Sequence, residues 1–305
     1  MLIPQPSLQG LCRVGRAGGL AVALAIVTAF GLSGDAGAAP SRLLPNLHAM
    51  PAQDVRFGTA TIDGTTHTVI RFSAVSYNDG AGPLELRAAQ HPPADGNLHK
   101  VSQHFKLSDG TWDPDADPLG AENFVWDDGH NHFHFADYAK YTLSDPTDPD
   151  AAHRRHGSKT TFCIIDTTRI DTKLPGAPKK AEYRTCGALR QGMSVGWGDR
   201  YGYSLPGQWI DVDGLTANGT YVLRITVNPG GRVAEADETG WDGNKSELEV
   251  CIDFEAEMVA VGACGESGGA DEKPGKGNGR NNRPPRGTDQ EAINGGGPGV
   301  RIPNP

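Results

Sequence analysis

Thr220-Tyr221-Val222-Leu223-Arg224-Ile225-Thr226-Val227 is a run of β-branched, aromatic and aliphatic residues that decides the fold class of this chain. Such side chains fit the pleated surface of a β-strand, and neither Gly nor Pro interrupts the run. The dipeptide Asn218-Gly219 directly before it favours a tight hairpin turn. We therefore predict a strand over residues 220–227, entered through a turn.

Four further stretches predict strands. Residues 66–72 alternate with period two, and alternation resumes in residues 84–87 after the turn-forming Asn78-Asp79-Gly80. Residues 208–212 and 247–254 have the same character. No window has the period of a long amphipathic helix. Short strands separated by Gly and Pro predict an all-β fold with a β-sandwich core.

Two regions, residues 90–125 and 172–205, contain no clear strand pattern and are predicted to be long loops. Long ordered loops are uncommon in a compact domain unless they carry function. We therefore expect the long loops of the sandwich to carry the functional site.

The start of the chain has the pattern of an export signal. Arg13 and Arg16 precede the apolar run of residues 18–34, and Ala36-Gly37-Ala38 fits the small-residue cleavage pattern. The alternative, a membrane anchor, is disfavoured because Gly and Thr interrupt the run and a bilayer needs about 20 apolar residues. We predict that residues 1–38 are removed and that the mature protein is secreted, without a membrane segment.

The other end is predicted to be a disordered tail, because residues 265–305 are rich in Gly, Pro, Asn and charge and have no aromatic residue. Residues 39–264 then form one domain. The formal net charge of −9 becomes −10 when Arg13, Arg16 and Asp35 leave with the signal. An acidic protein of this kind is not expected to bind nucleic acid.

Four cysteines remain after signal removal, since only Cys12 lies within it. An even number in an exported protein predicts two disulfides. Proximity in sequence favours Cys163–Cys186 and Cys251–Cys264, although four cysteines allow three pairings.

Three histidines alternate in the segment Trp126-Asp127-Asp128-Gly129-His130-Asn131-His132-Phe133-His134-Phe135. Alternate side chains of a strand share one face, about 6–7 Å apart along the backbone. A twist or bulge would help all three imidazoles to meet at one ion, while the phenylalanines pack on the other face. Without a metal, three clustered imidazoles would repel one another when protonated. The segment predicts a metal site at His130, His132 and His134.

The donor set narrows the choice of metal. Imidazoles without a thiolate suit Cu(II) or Zn(II), and Cu(II) has the higher intrinsic affinity. The spacing of the histidines does not choose between the two ions.

These motifs resemble those of the lysyl oxidase family, copper-dependent amine oxidases that act on peptidyl lysine, and indicate a secreted member of bacterial type. The resemblance covers about residues 126–264 and is much more specific than the histidines alone, because several separate motifs follow one another in the family's order. Besides the histidine segment these are Asp137–Leu143, Gly157–Cys163, Asp199–Gly202, Gln208–Asp211, Val227–Pro229, Glu235–Asp237, Cys251 and Cys264.

The resemblance implies roles for particular residues. The three histidines would hold Cu(II). Tyr201 would be oxidised to a quinone and Lys159 would add its ε-amine, which gives the cofactor lysine tyrosylquinone. The resemblance does not name the base that takes the α-proton of the substrate. Asp199 is a candidate by its position two residues before Tyr201, and the alternative is an Asp that forms a turn. The resemblance implies dioxygen and a primary amine as substrates, with protein lysine as the expected amine, and an aldehyde, ammonia and hydrogen peroxide as products.

The resemblance also implies a calcium site in the segment Asp-Glu-Thr-Gly-Trp-Asp-Gly-Asn, with Asp237, Asp242 and Asn244 as candidate ligands. Carboxylate and amide oxygens are the ligands that calcium prefers. The alternative interpretation of this segment is a solvated acidic turn.

Three departures from animal members leave the substrate preference open. Gly129 stands where they often carry a cysteine, and Lys140 and Ser158 stand where they often carry histidines. Two other functions fit the histidines alone. One is a secreted copper-binding β-sandwich without catalysis, and the other is a zinc hydrolase with an open position for water.

Overall fold

All regular secondary structure in the described part of the chain is β-strand, so the prediction of an all-β fold is confirmed. The computed structural model describes residues 39–88, 98–120, 124–148, 154–236 and 243–265. Apart from Ala39, these residues belong to one compact unit, Pro40–Pro305. Over the described ranges, no helix has the length and hydrophobicity needed to span a membrane.

Strands follow one another closely along the described ranges, and most of them are short. In chain order they are β1 (Arg42–Leu43), β2 (Leu47–Ala49), β3 (Gln53–Ile62), β4 (Thr65–Asn78), β5 (Leu84–Ala88), β6 (Leu98–His99), β7 (Val101–His104), β8 (Lys106–Leu107), β9 (Asp117–Pro118), β10 (Phe124–Asp127), β11 (His132–Phe135), β12 (Ala139–Ser144), β13 (Arg155–His156), β14 (Thr168–Arg169), β15 (Arg190–Met193), β16 (Trp197–Tyr201), β17 (Trp209–Asp211), β18 (Gly219–Val227), β19 (Lys245–Asp253) and β20 (Met258–Val261).

The long strand β4 organises the first large sheet. It has 14 residues and pairs antiparallel with β2, β3, β16 and β17. The sequence predicted only residues 66–72 of it, because alternation stops there. From Ser73 to Ser76 every residue is buried, and burial on both faces removes the polar–apolar alternation on which the prediction depended.

A second sheet has the order β13-β12-β18-β19-β20 and packs against the first. The predicted strand at residues 220–227 is β18, which pairs with β12 and β19. Phe72 in β4 meets Tyr141 in β12 edge to face, with ring centres 4.9 Å apart. Two antiparallel sheets that share an apolar core in this way form a β-sandwich.

The predicted hairpin turn at Asn218-Gly219 is wrong. Gly219 is the first residue of β18, and the preceding strand β17 pairs with β4 instead of β18. The Asn218 side chain fastens the end of β19, because its Nδ2 donates to Asp253 Oδ1 at 3.0 Å and its Oδ1 accepts from the Phe254 N–H at 2.8 Å. Pairing with distant strands has outweighed the local turn preference.

The two regions predicted to be long loops contain short strands. β7 pairs with β5, β15 pairs with β5, and β16 pairs with the second half of β4. Part of the first region, residues 90–97 and 121–123, lies outside the described residues. Strands of two to five residues offer too few positions for a period-two pattern to be recognised.

Both favoured disulfides are present. Cys163 is bonded to Cys186, and Cys251 is bonded to Cys264. The second bond joins the end of β19 to the segment that follows β20. Disulfides persist in oxidising compartments, so their presence fits an extracellular protein.

Gly192 in β15 provides a test of how tightly the small sheet is packed. A Cβ at this position would lie 2.2 Å from the backbone oxygen of Leu84 and 2.5 Å from the ring of Tyr183. Because the nearest atom is backbone, we expect Gly192→Ala to lower the free energy of unfolding by about 1–3 kcal/mol. Urea denaturation followed by tryptophan fluorescence measures the change.

The matched control is Gly219→Ala, because no heavy atom lies within 4 Å of a Cβ at Gly219. We expect this variant to stay within about 0.5 kcal/mol of the parent protein. Equal stability of the two variants would contradict the close packing of β15 against β5.

Candidate metal and amine site

The hairpin of β10 and β11 carries the three histidines. β10 ends at Asp127 and β11 begins at His132. Between them Asn131 has a φ of 56°, a left-handed conformation that Asn tolerates in turns. His130 lies in this turn, and its N–H donates to Asp127 Oδ1 at 3.1 Å. The prediction of three histidines on one strand is therefore wrong for His130, since the chain reverses before β11.

The turn nevertheless brings the three imidazoles together. His132 Nε2 and His134 Nε2 lie 3.0 Å apart, and the ring centre of His130 is 4.9 Å from that of His134. One ring nitrogen of each histidine lies within 4.8 Å of the others. Two nitrogens bonded to one ion at about 2.0–2.1 Å lie at most about 4.2 Å apart. Small side-chain rotations would bring all three nitrogens to one ion.

The opposite face of the hairpin packs into the protein, as the sequence predicted. Phe135 is 1% exposed and meets Phe124 edge to face at 6.3 Å. Phe133 contacts Trp126 at 5.2 Å. These contacts hold one face of the hairpin, so that the opposite face, which carries the histidines, keeps its position.

Burial favours the neutral form of His130 and His134, which is the form that metals bind. His134 is 0% exposed, and burial lowers its pKa to about 3, although Asp127 opposes the shift. Burial and the nearby Lys159 also lower the pKa of His130. A metal coordinates neutral imidazole, so no proton has to be displaced from these rings near neutral pH.

The carboxylate of Asp127 orients the site. Its Oδ2 lies 2.9 Å from His134 Nδ1. In many metal sites a carboxylate that does not itself bind the metal accepts this N–H of a histidine ligand, which fixes the tautomer and leaves Nε2 for the ion. Burial opposes ionisation of Asp127, but the hydrogen bond from His134 and the charge of Lys159 hold the pKa of its carboxyl well below the usual range. Neutral, oriented imidazoles fit Cu(II) and also Zn(II).

Lys159 lies beside the histidines. Its side chain is 4% exposed, and its Nζ lies 3.4 Å from His130 Nε2 and 4.0 Å from Asp127 Oδ2. Burial lowers the pKa of Lys159 to about 8, although the charges of Asp127 and Asp199 oppose the shift. A substantial fraction of the amine is therefore neutral and nucleophilic in mildly alkaline solution.

Tyr201 lies at the end of β16, so the sequence prediction that a loop carries it is wrong. It pairs with Ala74 of β4, and its hydroxyl donates to the Cys163 carbonyl at 2.9 Å. Lys159 Nζ is 5.3 Å from the centre of the Tyr201 ring, and the ring of His130 is 6.4 Å away. The structure thus brings Lys159, Tyr201 and the histidines into one buried site.

Asp199 lies on the same strand as Tyr201 and is 1% exposed. Its Oδ1 accepts from the Thr167 hydroxyl at 3.3 Å, and its Oδ2 accepts from the Ile165 N–H at 3.4 Å. Burial first, and then the charge of Asp199, raise the pKa of the Tyr201 phenol well above its ordinary value. Asp199 thus acts electrostatically on both Lys159 and Tyr201.

The predicted calcium segment is described only in part, because Asp237 and Asp242 lie outside the described residues. Asn244 is described, and its Nδ2 donates to Glu235 Oε1 at 2.8 Å. Glu235 is 4% exposed and also accepts from the Leu47 N–H at 2.7 Å. The structure therefore adds a buried carboxylate, Glu235, beside the one described candidate ligand.

Sequence reasoning missed two residues of the site. It gave no role to Asp127, although a carboxylate three residues before a histidine cluster is a signal for a hydrogen-bond partner of a metal ligand. It also gave none to Gln208, which is 0% exposed. Gln208 Nε2 donates to the Tyr201 carbonyl at 3.2 Å, and its Oε1 accepts from the Tyr141 hydroxyl at 3.0 Å. No local sequence pattern predicts these two hydrogen bonds.

The site is therefore a candidate metal and amine site in an all-β protein, made of three buried histidines, a buried lysine and a buried tyrosine. The sequence model of the family described as "Lysyl oxidase" matches residues 108–264. The chain belongs to the lysyl oxidase family.

Named relatives agree with this assignment. The chain is 32% identical over 162 residues to human "Lysyl oxidase homolog 3", covering 50% of this chain and 20% of the relative. It is 31% identical over 141 residues to zebrafish (Danio rerio) "Lysyl oxidase homolog 3A", covering 44% and 18%. It is 28% identical over 156 residues to bovine "Lysyl oxidase homolog 2", covering 51% and 19%. The matched part thus spans about a fifth of the length of these relatives.

The hydrogen bond between Asp127 and His134 generates a prediction about metal affinity. Asp127→Asn keeps the size and an acceptor for the turn but removes the negative charge. We expect it to weaken Cu(II) binding about 10–100-fold. Competition with a chelator of known copper affinity measures the change.

Asp128→Asn is the matched control. Asp128 is exposed, and its Oδ1 accepts from Trp126 Nε1 at 2.7 Å, a contact that an amide oxygen can also make. We expect its copper affinity to equal that of the parent. A folded Asp127→Asn protein with unchanged affinity would show that this carboxylate does not tune the histidines.

Proposed function

We propose that this chain is a secreted copper amine oxidase that converts primary amines, with protein lysine as the expected substrate, to aldehydes. The overall reaction is R-CH2-NH2 + O2 + H2O → R-CHO + NH3 + H2O2, in which the amine loses two electrons to dioxygen. One observation carries the proposal. In a member of the lysyl oxidase family, the Lys159 amine lies 5.3 Å from the Tyr201 ring centre and 3.4 Å from His130.

Each part of the site has a role in this proposal. His130, His132 and His134 would hold Cu(II), and Asp127 would orient His134. Lysine tyrosylquinone, formed from Lys159 and Tyr201, supplies the electron sink for amine oxidation when it is present. Lys159 is suited to that role because burial lowers the pKa of its amine to about 8.

Asp199 is the candidate for the base that takes the α-proton of the substrate. It lies two residues from Tyr201 on the same strand, and side chains at this spacing share one face. Its carboxylate is buried and lies close enough to Lys159 and Tyr201 to act on both electrostatically. Gln208 would keep the backbone of Tyr201 in position.

Secretion and the boundaries of the domain belong to the same proposal. The two disulfides support an oxidising compartment. The export signal of residues 1–38 lies outside the described residues, as does the tail from residue 266 onward, and both stay sequence predictions. We expect no nucleic-acid partner because the chain is acidic, with a formal charge of −9.

Two alternatives make different predictions. A secreted copper-binding β-sandwich without catalysis would take up copper but form no quinone. A zinc hydrolase would use the histidines and an open metal position, and its activity would not depend on Tyr201. The position of Lys159 beside Tyr201 favours the oxidase over both.

A visible spectrum tests the oxidase directly. We expect protein produced with copper in air to have a quinone band that shifts with phenylhydrazine, and to release hydrogen peroxide with primary amines. Tyr201→Phe and Lys159→Arg should lose the band while copper, measured by atomic absorption, remains bound. Each variant removes one of the two groups from which the cofactor is built.

Tyr203→Phe and Lys140→Arg are the matched controls. The Tyr203 ring stacks under the guanidinium of Arg56, and Lys140 is exposed, so neither contacts the site. Both should keep the band and the activity. Copper-loaded protein without any quinone band would overturn the oxidase and leave the copper-binding module as the function.

We also propose the calcium site, with Asp237, Asp242 and Asn244 as ligands and the buried Glu235 close by. Calcium at 100 times its dissociation constant should stabilise the fold by about 2.7 kcal/mol. Thermal melts with EGTA and with added calcium measure this increment, with the copper content checked in both. Asp242→Asn should lose the increment.

The control is Asp63→Asn, because Asp63 is exposed and has a φ of 50°, which Asn tolerates. It should keep the calcium-dependent increment. Melts that are identical with EGTA and with calcium would support the solvated acidic turn instead.

A further inference from the structure

A small cavity lies in the core directly against Tyr201. Its volume is about 10 Å³, which is close to the minimum for one molecule of the size of water. The wall is made mainly of carbon atoms from both sheets, including Ala74, Phe162, Ala139, Ile225, Val227 and Tyr201 itself. Each of these residues is at most 6% exposed, so the cavity is lined by buried residues.

The hydroxyl groups around this cavity already have partners. Ser76 Oγ and Tyr138 OH are hydrogen-bonded to each other at 2.9 Å. The Tyr141 hydroxyl donates to Gln208 at 3.0 Å, and the Tyr201 hydroxyl donates to the Cys163 carbonyl at 2.9 Å.

The carboxylate of Asp199 also reaches the wall, and it accepts hydrogen bonds from Thr167 and Ile165. A buried water usually makes about three hydrogen bonds, and apolar cavities without such partners stay dry. Because the surface of the cavity is almost entirely apolar, it suits a small apolar molecule better than water.

We propose that this cavity binds dioxygen next to Tyr201. The inference rests on the proposed amine oxidase function, in which dioxygen takes two electrons and two protons and leaves as hydrogen peroxide. Dioxygen is the one reactant of that chemistry that is both small and apolar. A cavity against the Tyr201 ring holds it in contact with the side chain from which the cofactor is built.

Two variants change the cavity without touching the metal or amine groups. Ala139→Val adds two methyl groups to the wall and fills the space. Ile225→Val removes one methylene group and enlarges it. The matched controls are Ala60→Val and Ile252→Val, because Ala60 and Ile252 are buried but do not line the cavity.

The first measurement needs no activity. Crystals of the copper-loaded protein are pressurised with krypton, a small apolar gas that is located by its anomalous scattering. We expect one krypton atom in the cavity of the parent protein and of both controls, more complete occupancy in Ile225→Val, and none in Ala139→Val. An ordered water in the parent cavity, or no krypton there, would overturn the inference.

The second measurement separates the two halves of the reaction. We expect Ala139→Val to lower kcat/KM for dioxygen about tenfold, which corresponds to about 1.4 kcal/mol, while the rate of anaerobic reduction by the amine stays that of the parent. Ala60→Val should change neither. If krypton binds but Ala139→Val reoxidises normally, the cavity is not the dioxygen site.

The two proposals fail in different ways. Krypton in the cavity of a protein that forms no quinone would overturn the oxidase, and the dioxygen assignment with it. A normal quinone with an empty or water-filled cavity would overturn the dioxygen site alone. Ile225→Val keeps the inference testable if Ala139→Val does not fold, because a larger cavity should raise krypton occupancy and Ile252→Val should not.

Discussion

The carboxylate of Asp127 is the contact on which the arrangement of the site depends. Its Oδ1 accepts the N–H of His130 and so holds the turn of the hairpin. Its Oδ2 lies 2.9 Å from His134 Nδ1 and 4.0 Å from Lys159 Nζ. One side chain thus fixes the backbone of one histidine, the ring of another and the position of the amine. Because the carboxylate is ionised, it also offsets the positive charge that a metal and a lysine bring into a buried place.

The hairpin of β10 and β11 does not contain all the residues of the site, and the others come from distant segments. β10 and β11 present the histidines, but Lys159 belongs to a separate segment and Tyr201 to β16. Phe135 and Phe162 form a backbone bridge that fastens the lysine segment to the histidine strand. Pairing of Tyr201 with Ala74 fixes the aromatic ring from the other sheet. Burial then lowers the pKa of Lys159, His130 and His134 and raises that of Tyr201.

The sequence predicted the class of fold and the members of the site better than their geometry. The run at residues 220–227 has its pattern because one face of β18 is buried, and both disulfides followed from proximity. Tyr201 was assigned to a loop because β16 is only five residues long and four of them are buried, so no alternation is visible. His130 was assigned to a strand because spacing does not reveal where a chain reverses. The place of Gln208 in the site depends on contacts between distant segments, which no local sequence pattern predicts.

The same burial that suits Lys159 to act as a nucleophile restricts what else can reach Tyr201. Its hydroxyl is held by the Cys163 carbonyl at 2.9 Å, and its ring meets Phe162 edge to face at 4.9 Å. Lys159, His130 and Asp199 are polar neighbours of the ring. The small apolar cavity between the sheets also borders it. Under the proposed function, a polar amine would meet the ring from the side of the histidines and Lys159, whereas an apolar gas would meet it from the cavity in the core. Separate routes of this kind would let an amine and dioxygen meet one cofactor without competing for the same space.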